Sequence, residues 1–226
     1  MGIGGFQKHT LSDYPGKVSC IVFFSGCNFR CPWCQNGSLV DGTNEVLSEK
    51  HILSEIEKTQ EWLDGVVISG GEPTISPEIV DFCTRIKEKG LLIKLDTNGS
   101  RPTIIQELMD KKLVDYIAMD IKTALNEYDT AIGVKFDSDN IGESIQLIMS
   151  GTVDYEFRST VVPEFFKIAQ FNKILQIIQG AKRYVLQNYD PTNRMFQNQC
   201  KERYSTDILE EWAKIGEDLV QECFVR

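Results

Sequence analysis

The 226-residue sequence lacks a long apolar run, and residues 1–17 lack the basic and apolar segments of a secretory signal. Basic residues are also fewer than acidic ones, since the chain has 24 Lys and Arg and 33 Asp and Glu, which gives a net charge of −9. This balance argues against a nucleic-acid-binding surface, and it indicates solubility or docking to a protein of complementary charge. We therefore expect neither a membrane nor a nucleic acid among the partners.

Histidine is nearly absent, with only His9 and His51 in the chain. Both are expected at the surface, His9 before the first strand and His51 in the first turn of a helix. The sequence suggests no Ser-His-Asp combination and contains no Gly-Lys-Ser or Gly-Lys-Thr phosphate-binding loop. Histidine-based hydrolysis and phosphate-loop chemistry are therefore not expected.

The seven cysteines are odd in number and do not form a disulfide framework, so a reducing cytoplasm is the expected location. Three of them, Cys27, Cys31 and Cys34, fall on one short stretch directly after the apolar run 18–24. A loop with this spacing can direct three thiolates to a common centre. The other four are expected to be buried thiols that bind no metal: Cys20, Cys83, Cys200 and Cys223.

Three thiolates suit zinc or an iron–sulfur cluster, but both normally take four protein ligands. No further candidate follows closely, since the nearest later ones are His51 and Cys83. A site with three protein ligands leaves one metal position open for a reactant. From the spacing alone, a structural zinc knuckle and incidental buried thiols remain alternatives.

Six short apolar strands alternate with helices along the chain and predict a parallel β-sheet covered by helices. An open doubly wound sheet and a barrel give similar patterns, so periodicity does not decide between them. Residues 1–17 are predicted as polar and turn-rich, 188–204 as a long loop, and 207–223 as a final amphipathic helix. Because no linker, repeat or low-complexity segment is visible, we predict a single domain over residues 1–226, with the cysteine loop at 26–36.

Polar motifs follow the predicted strands, and the carboxyl ends of parallel strands form the active edge in either architecture. These motifs occupy residues 25–36, 69–73, 96–99, 119–122 and 187–190. Taken singly, each has a structural explanation: Gly-Gly-Glu-Pro as a tight turn, Asn-Gly as a turn, and a strand-end Asp as a helix cap.

Arg158 is a lone charge within the fifth predicted strand, a costly position unless the guanidinium is paired. One explanation is an ion pair with a carboxylate of a neighbouring strand, such as Asp96 or Asp120. The other is a guanidinium directed at the carboxylate of a ligand, and we favour this second explanation.

Taken together, the motifs resemble those of the radical S-adenosylmethionine (SAM) superfamily. The spacing Cys27-x3-Cys31-x2-Cys34, with an aromatic residue at Trp33, is similar to the cluster loop of that superfamily. The segments Gly4-Gly5-Phe6-Gln7 and Asp13-Tyr14-Pro15-Gly16 narrow the resemblance to the glycyl-radical-enzyme activases, in particular the activating proteins of anaerobic ribonucleoside-triphosphate reductase. The resemblance spans nearly the whole chain and implies an α/β fold, a partial (β/α)6 TIM-like barrel of the radical SAM type.

The resemblance also implies two cofactors and their ligands. Cys27, Cys31 and Cys34 would hold a [4Fe-4S] cluster whose fourth iron binds SAM. The residues that it assigns to SAM, or to an accompanying monovalent cation, are Trp33, Gln35, Gly70, Gly71, Glu72, Asp96, Thr97, Lys122, Arg158 and Gln187.

Within this set, the turn of Gly70, Gly71 and Glu72 would engage the SAM amino group. Asp96 and Thr97, with the backbone at Met119, would bind the cation beside the SAM carboxylate. Lys122 would act as a catalytic residue near SAM and the substrate peptide.

The remaining assignments concern the other parts of SAM. Arg158 would face the SAM carboxylate, and Gln187 the ribose or adenine. Gln35 departs from the pattern of many activases, where His follows the third cysteine. This substitution leaves the chemistry plausible and puts the details of the adenine pocket in doubt.

The implied reaction is reductive cleavage of SAM, followed by removal of a hydrogen atom from a glycine of a partner protein. The implied partners are a glycyl radical enzyme and a flavodoxin- or ferredoxin-type electron donor. One alternative is a radical SAM enzyme acting on a small molecule, as the 7-carboxy-7-deazaguanine synthases do, but the Asp-x-Pro-Gly segment speaks against it. Another is a non-catalytic metal-binding interaction module, which would leave the strand-end motifs unexplained.

Overall fold

The computed structural model describes residues 2–192 and 200–226. The strands in this part of the chain are β1 Ile3–Thr10, β2 Ser19–Phe24, β3 Gly65–Gly70, β4 Leu92–Thr97, β5 Tyr116–Asp120, β6 Asp154–Val161, β7 Arg183–Asn188 and β8 Glu222–Val225. The α-helices are α1 Gly37–Asp41, α2 Glu49–Thr59, α3 Ile79–Glu88, α4 Pro102–Asp110, α5 Tyr128–Ile132, α6 Asp139–Ser150, α7 Ile168–Ile177 and α8 Thr206–Gly216. None of the described helices is long and apolar enough to cross a membrane.

The strands form a mostly parallel sheet in which they follow one another in chain order, β1 to β8. Only β1 has a described antiparallel pairing, with β2. Val66, Val67 and Ile68 of β3 are fully buried, as expected for a strand of a parallel sheet covered on both faces. The predicted α/β fold is therefore confirmed.

Two compact units make up the chain. The first unit consists of Met1–Asn28, Ser38–Thr97 and Thr103–Ile117. In this unit β2, β3 and β4 pair in parallel, and the in-register pairing places Phe24 opposite Gly70. Helix α3 packs on the sheet, where the Phe82 ring lies edge-on to Phe24 at a centroid distance of 5.6 Å. Because β2 and β3 end at the same level, the residues that follow both strands are neighbours.

The second unit consists of Phe29–Gly37, Asn98–Pro102 and Ala118–Arg226. Strands β6, β7 and β8 pair in parallel in this unit. Its core contains Phe171 of α7, which stacks on Tyr184 of β7 at 5.9 Å and on Trp212 of α8 at 5.6 Å. The helices thus cover one face of β6–β8. The single domain expected over residues 1–226 stays a prediction.

Both ends of the chain differ from the sequence-based expectation. Residues 3–10 form strand β1 rather than a turn-rich segment, and His9 lies exposed within that strand. As an outer strand of the sheet with a polar, exposed middle, β1 has no apolar periodicity to reveal it. Of the predicted loop 188–204, residues 193–199 lie outside the described part of the chain.

The final helix predicted over 207–223 is wrong in its last part, because α8 ends at Gly216 and Glu222–Val225 form β8. A Cβ atom at Gly216 would lie 2.5 Å from the Cys223 sulfur, so the chain turns back against the end of its own helix. Parallel pairing of β8 with β7 satisfies the backbone of this last segment.

Candidate functional site

A tight turn at the end of β3 lies against the start of the cysteine loop in the first unit. Gly70 has φ +128°, and a Cβ atom there would lie 2.2 Å from the Phe24 carbonyl oxygen. A Cβ atom on Gly71 would lie 2.0 Å from the Gly26 carbonyl oxygen and 3.1 Å from the Cys27 Cβ atom. Only glycine permits this approach of two backbones.

Two backbone hydrogen bonds hold the same turn. The Gly71 N–H donates to the Phe24 carbonyl at 2.9 Å, and the Glu72 N–H donates to the Gly26 carbonyl at 2.9 Å. The Gly-Gly-Glu motif therefore fixes the backbone position of Gly26 and Cys27.

The Glu72 side chain is only 1% exposed and joins two of the predicted site segments. Its Oε1 atom accepts hydrogen bonds from the Thr74 N–H at 3.0 Å, from the Thr97 hydroxyl at 2.8 Å and from the Thr74 hydroxyl. Thr97 ends β4, so the carboxylate links the ends of β3 and β4. The structure thus brings together Glu72 and Thr97, which the sequence placed in separate motifs.

Asp96, at the end of β4, forms an ion pair with Lys94 two residues earlier on the same strand face. Lys94 is 2% exposed, and this partner compensates for the burial of its ammonium group. Lys94 was not among the predicted site residues. The sequence did contain a signal for Lys94, because a lysine flanked by apolar residues of a strand is as unusual as the lone Arg158 in its strand.

The second half of the cysteine loop is anchored within the second unit. The Arg30 N–H donates to the Ile132 carbonyl of α5 at 2.7 Å, and the Phe29 ring packs edge-on to Tyr128 and Phe136. Further along, the buried Trp33 ring lies 4.9 Å from that of Phe165. The loop segment is therefore held by a backbone hydrogen bond and by aromatic packing. The Trp33 ring packs inside the protein.

A charged cluster lies where β5 and β6 meet in the second unit. The Arg158 Nε–H donates to Asp120 Oδ1 at 2.8 Å, and the Lys122 ammonium donates to Asp120 Oδ2 at 3.0 Å. This ion pair between Arg158 and Asp120 is the one of the two explanations that the sequence did not favour. Burial alone would raise the pKa of Asp120, but the charges and hydrogen bonds of Arg158 and Lys122 outweigh it and lower that pKa to about 2.

Tyr128 is a part of this cluster that the sequence did not indicate. Its buried hydroxyl accepts a hydrogen bond from the Lys122 N–H at 3.1 Å. Burial lowers the pKa of Lys122, but the charges of Asp120 and of Cys31 outweigh it and raise that pKa above its usual range. Burial raises the pKa of Tyr128, and Cys31 contributes in the same direction.

The other predicted site residues occupy varied positions. Gln187 accepts a long hydrogen bond of 3.5 Å from the Thr160 hydroxyl, and Gln35 is exposed. His51 is also exposed, as expected.

Two of the three loop cysteines are less buried than the other cysteines of the chain. Cys31 is 8% exposed, whereas Cys27 and Cys34 are half-buried, and none of the three is in a disulfide. Burial raises the pKa of the thiols outside the loop to about 12 for Cys20, Cys83 and Cys223 and to about 11 for Cys200. These four stay protonated at neutral pH, as buried thiols without a ligand role do.

The donor set of the loop fits an iron–sulfur cluster by its chemistry, with three soft sulfur donors on one short segment. Within residues 2–192 and 200–226, no three side chains of His, Cys, Asp or Glu are arranged as a metal site. The assignment of Cys27, Cys31 and Cys34 as ligands therefore stays a prediction from their spacing.

Comparison with known families adds to this geometry. The profile of the radical SAM superfamily matches residues 21–166, a span that contains the cysteine loop, the Gly-Gly-Glu turn and the cluster around Asp120. The chain belongs to the radical SAM superfamily. Membership implies a [4Fe-4S] cluster and SAM as cofactors, as the resemblance of the sequence motifs implied.

This radical SAM chain is similar to several curated proteins. One is a protein of Methanocaldococcus jannaschii named as a glycyl-radical enzyme activating enzyme, 31% identical over 84% of this chain and 80% of that protein. Another is the pyruvate formate-lyase-activating enzyme of Clostridium pasteurianum, 33% identical over 53% of this chain and 52% of the enzyme. A third is the 7-carboxy-7-deazaguanine synthase of Koribacter versatilis, 29% identical over 65% of this chain and 62% of the synthase.

Solved structures share the radical SAM fold. SuiB of Streptococcus suis, bound to the precursor peptide SuiA, superposes with a TM-score of 0.70 at 15% identity over 91% of this chain and 47% of SuiB. The chain thus spans about half the length of SuiB. The enzyme anSMEcpe, with bound AdoMet and a peptide, gives a TM-score of 0.60 at 15% identity over 86% of this chain and 56% of that protein. At these identities the likeness concerns the fold.

Proposed function

We propose that this radical SAM enzyme is an activase that forms a glycyl radical on a partner enzyme, the anaerobic ribonucleoside-triphosphate reductase. The observation that carries the proposal is the 31% identity to a glycyl-radical enzyme activating enzyme, which extends over 84% of this chain. The pyruvate formate-lyase-activating enzyme among the relatives supports the same class of substrate. The choice of the reductase rests on the amino-terminal motifs Gly4-Gly5-Phe6-Gln7 and Asp13-Tyr14-Pro15-Gly16.

In this proposal Cys27, Cys31 and Cys34 are the cluster ligands. These cysteines would hold a [4Fe-4S] cluster that, after reduction by one electron, would supply the electron for cleavage of SAM to methionine, the step that leads to removal of a hydrogen atom from the target glycine. The protein contributes an anchored loop, because the Gly71 turn, helix α5 and Phe165 fix the backbone and side chains around the cysteines.

The residues around the turn would bind the amino acid part of SAM. Glu72 is held by Thr74 and Thr97, so its carboxylate is preorganised to accept from the SAM amino group. Asp96 and Thr97 supply oxygen atoms for a monovalent cation beside the SAM carboxylate.

The charged cluster around Asp120 would bind the SAM carboxylate and would lie near the substrate peptide. Arg158 and Lys122 are both tethered by Asp120, which leaves their positive charges in fixed positions. We propose that Arg158 attracts the SAM carboxylate and that Lys122 acts near SAM and the substrate peptide. The proposed set also includes Gln187 at the ribose or adenine, Gln35 at the adenine and Trp33 in the cluster loop. We propose a flavodoxin or ferredoxin as the electron donor, and the cytoplasm as the location of the protein.

A second candidate function is the conversion of a small molecule, as in 7-carboxy-7-deazaguanine synthases. The Koribacter versatilis synthase, 29% identical over 65% of this chain, supports it. Both candidates share SAM cleavage and differ in the acceptor of the radical. A non-catalytic metal-binding module differs from both because it would cleave no SAM.

The test is anaerobic. The protein is reconstituted with iron and sulfide, reduced with dithionite and incubated with SAM and the reductase, and the glycyl radical is recorded by electron paramagnetic resonance. A reductase whose radical glycine is replaced by alanine is the matched control. We expect a radical signal with the natural reductase and no signal with the alanine variant.

Two other outcomes would favour the alternatives. Formation of 7-carboxy-7-deazaguanine from the synthase substrate, without a radical on the reductase, would favour the second candidate. Absence of 5′-deoxyadenosine in every reaction would support the non-catalytic module.

A further inference from the structure

A chain of alternating charges runs across one sheet face of the second unit, from Lys122 to Arg226. Lys122 and Arg158 both bind Asp120, as described above. The Arg158 guanidinium also lies 4.0 Å from Glu156 Oε1, two residues earlier on β6. Glu156 in turn accepts two hydrogen bonds from the Arg226 guanidinium, at 3.1 and 3.2 Å. Three cationic and two anionic side chains thus form a connected series.

Strand register explains why these side chains share one face. Glu156 and Arg158 are two residues apart on β6 and point to the same face. Arg158 is opposite Val185 of β7, which is opposite Phe224 of β8, and Arg226 is two residues beyond Phe224 and therefore on that face as well. This face lies opposite the face of Tyr184, on which α7 packs.

Arg226 is held firmly at the backbone. Its N–H donates to the Leu186 carbonyl at 2.9 Å, and its carbonyl accepts from the Asn188 N–H at 3.0 Å. The guanidinium also lies 5.6 Å from the centroid of the Phe224 ring. The bidentate contact with Glu156 is therefore made by an arginine whose backbone is fixed by two hydrogen bonds.

Glu156 is 1% exposed, whereas the Arg226 side chain is 44% exposed. A buried carboxylate requires cationic partners, and Glu156 has one on each side, Arg158 and Arg226. If Arg226 is removed, the Arg158 guanidinium, which already lies 4.0 Å from Glu156, can compensate its charge. Arg158 would then be drawn away from Asp120.

We propose that Arg226 is a positioning residue: by pairing with Glu156, it keeps the Arg158 guanidinium on Asp120 and directed toward SAM. Arg226 neutralises Glu156, which frees Arg158 to bind Asp120, and Asp120 holds Lys122. This inference rests on the role proposed above for Arg158, and it deepens that role. It concerns SAM affinity, which is measured without a partner protein, so its failure is separate from a failure to activate the reductase.

Arg183 provides a matched control on the same three strands. It pairs with Asp154 at 3.2 Å and with Glu222 at 3.5 Å, and these three residues begin β7, β6 and β8. An Arg183→Ala variant therefore removes an inter-strand arginine at the opposite ends of the strands from Arg226. Glu156→Gln keeps the size of the side chain, and Arg226→Lys keeps the charge but not the bidentate contact.

The first measurement needs no cofactor. The Arg158 Nε–H is observed by nitrogen-15 NMR, and its hydrogen exchange is compared among the variants. Because this N–H is bonded to Asp120 at 2.8 Å, we expect slow exchange in the wild type and exchange about tenfold faster in Arg226→Ala. Arg226→Lys is expected to fall between the two, and Arg183→Ala is expected to match the wild type.

The second measurement is the Kd for SAM, determined by calorimetry on the reconstituted protein. We expect Arg226→Ala to raise the Kd by about tenfold, as loss of an outer positioning contact often does, whereas Arg183→Ala leaves it unchanged. Glu156→Gln removes the carboxylate that would compete for Arg158, so its Kd is expected to stay close to that of the wild type. Arg226→Lys is expected to recover part of the affinity, and it carries the test if Arg226→Ala unfolds. Wild-type exchange and wild-type Kd in Arg226→Ala and Arg226→Lys, or losses in Glu156→Gln or Arg183→Ala equal to those in the Arg226 variants, would overturn the proposal.

Discussion

Gly71→Ala is the substitution that tests most sharply how the cysteine loop is held. The added methyl group would lie 2.0 Å from the Gly26 carbonyl oxygen, 2.6 Å from its carbonyl carbon and 3.1 Å from the Cys27 Cβ atom. An ordinary contact between carbon and a carbonyl oxygen is about 3.3 Å, so one backbone must move by about 1.3 Å. All three atoms belong to the start of the cysteine loop, so the displacement falls on Cys27 or on the turn.

The expected cost has two parts. Overpacking costs about 1–3 kcal/mol, and loss of the Glu72 N–H to Gly26 hydrogen bond adds about 1 kcal/mol, for a total of about 2–4 kcal/mol in the free energy of unfolding. A misplacement of about 1 Å near the reacting groups can reduce the rate by about 100-fold. We therefore expect a clear loss of stability and a larger relative loss of SAM cleavage.

Urea denaturation measures the first quantity, and chromatography of 5′-deoxyadenosine from the reconstituted protein measures the second. Gly142→Ala is the matched control, because the nearest atom to its added methyl group, Leu125 Cδ1, is 3.7 Å away. Gly142 lies inside α6, where alanine should stabilise by about 0.5–1 kcal/mol. If Gly71→Ala matches Gly142→Ala both in its free energy of unfolding and in its yield of 5′-deoxyadenosine, the loop does not depend on this close approach.

Three further predictions concern individual side chains. Cys31→Ala should abolish the cluster absorption at about 400 nm, whereas Cys83→Ala should retain it; a retained spectrum in Cys31→Ala would contradict the three-ligand set. Thr97→Val should lower the free energy of unfolding by about 1.5–3 kcal/mol, because it removes a donor to the buried Glu72 carboxylate; urea midpoints check this, and an unchanged midpoint would refute it. Since the pKa of Asp120 is lowered from 3.8 to about 2, its contribution to stability is present above pH 3.8 and is lost as the pH falls through about 2. The stability difference between the wild type and Asp120→Asn should therefore shrink over that interval, and a constant difference would mean that Asp120 has an ordinary pKa.

The strands of the sheet interior could be predicted from the sequence because each contains buried apolar residues, even where a charged residue such as Lys94 or Arg158 interrupts them. Val66–Ile68 in β3 are an example, and the polar residues that end such strands marked the site edge. The outer strands could not be predicted in this way. β1 has an exposed, polar stretch at residues 7–9, and β8 follows the amphipathic helix α8, whose apolar spacing continues beyond its end at Gly216.

The motifs of the site were visible in the sequence, but their connections were not. Glu72 and Thr97 are 25 residues apart and meet only because β3 and β4 are adjacent. The pairing of Arg158 with Asp120 was one of several open choices, and strand order selects it. Tyr128 and Arg226 carried no local pattern, because their roles depend on contacts made by the folded chain.

The most direct test of the proposed function follows the hydrogen atom itself. Reductase labelled with deuterium on its glycine residues is incubated anaerobically with the reconstituted, reduced enzyme and SAM, and the 5′-deoxyadenosine is analysed by mass spectrometry. Our account predicts the transfer of one deuterium atom to 5′-deoxyadenosine, and none when the radical glycine of the labelled reductase is replaced by alanine. Unlabelled 5′-deoxyadenosine in both reactions would contradict it.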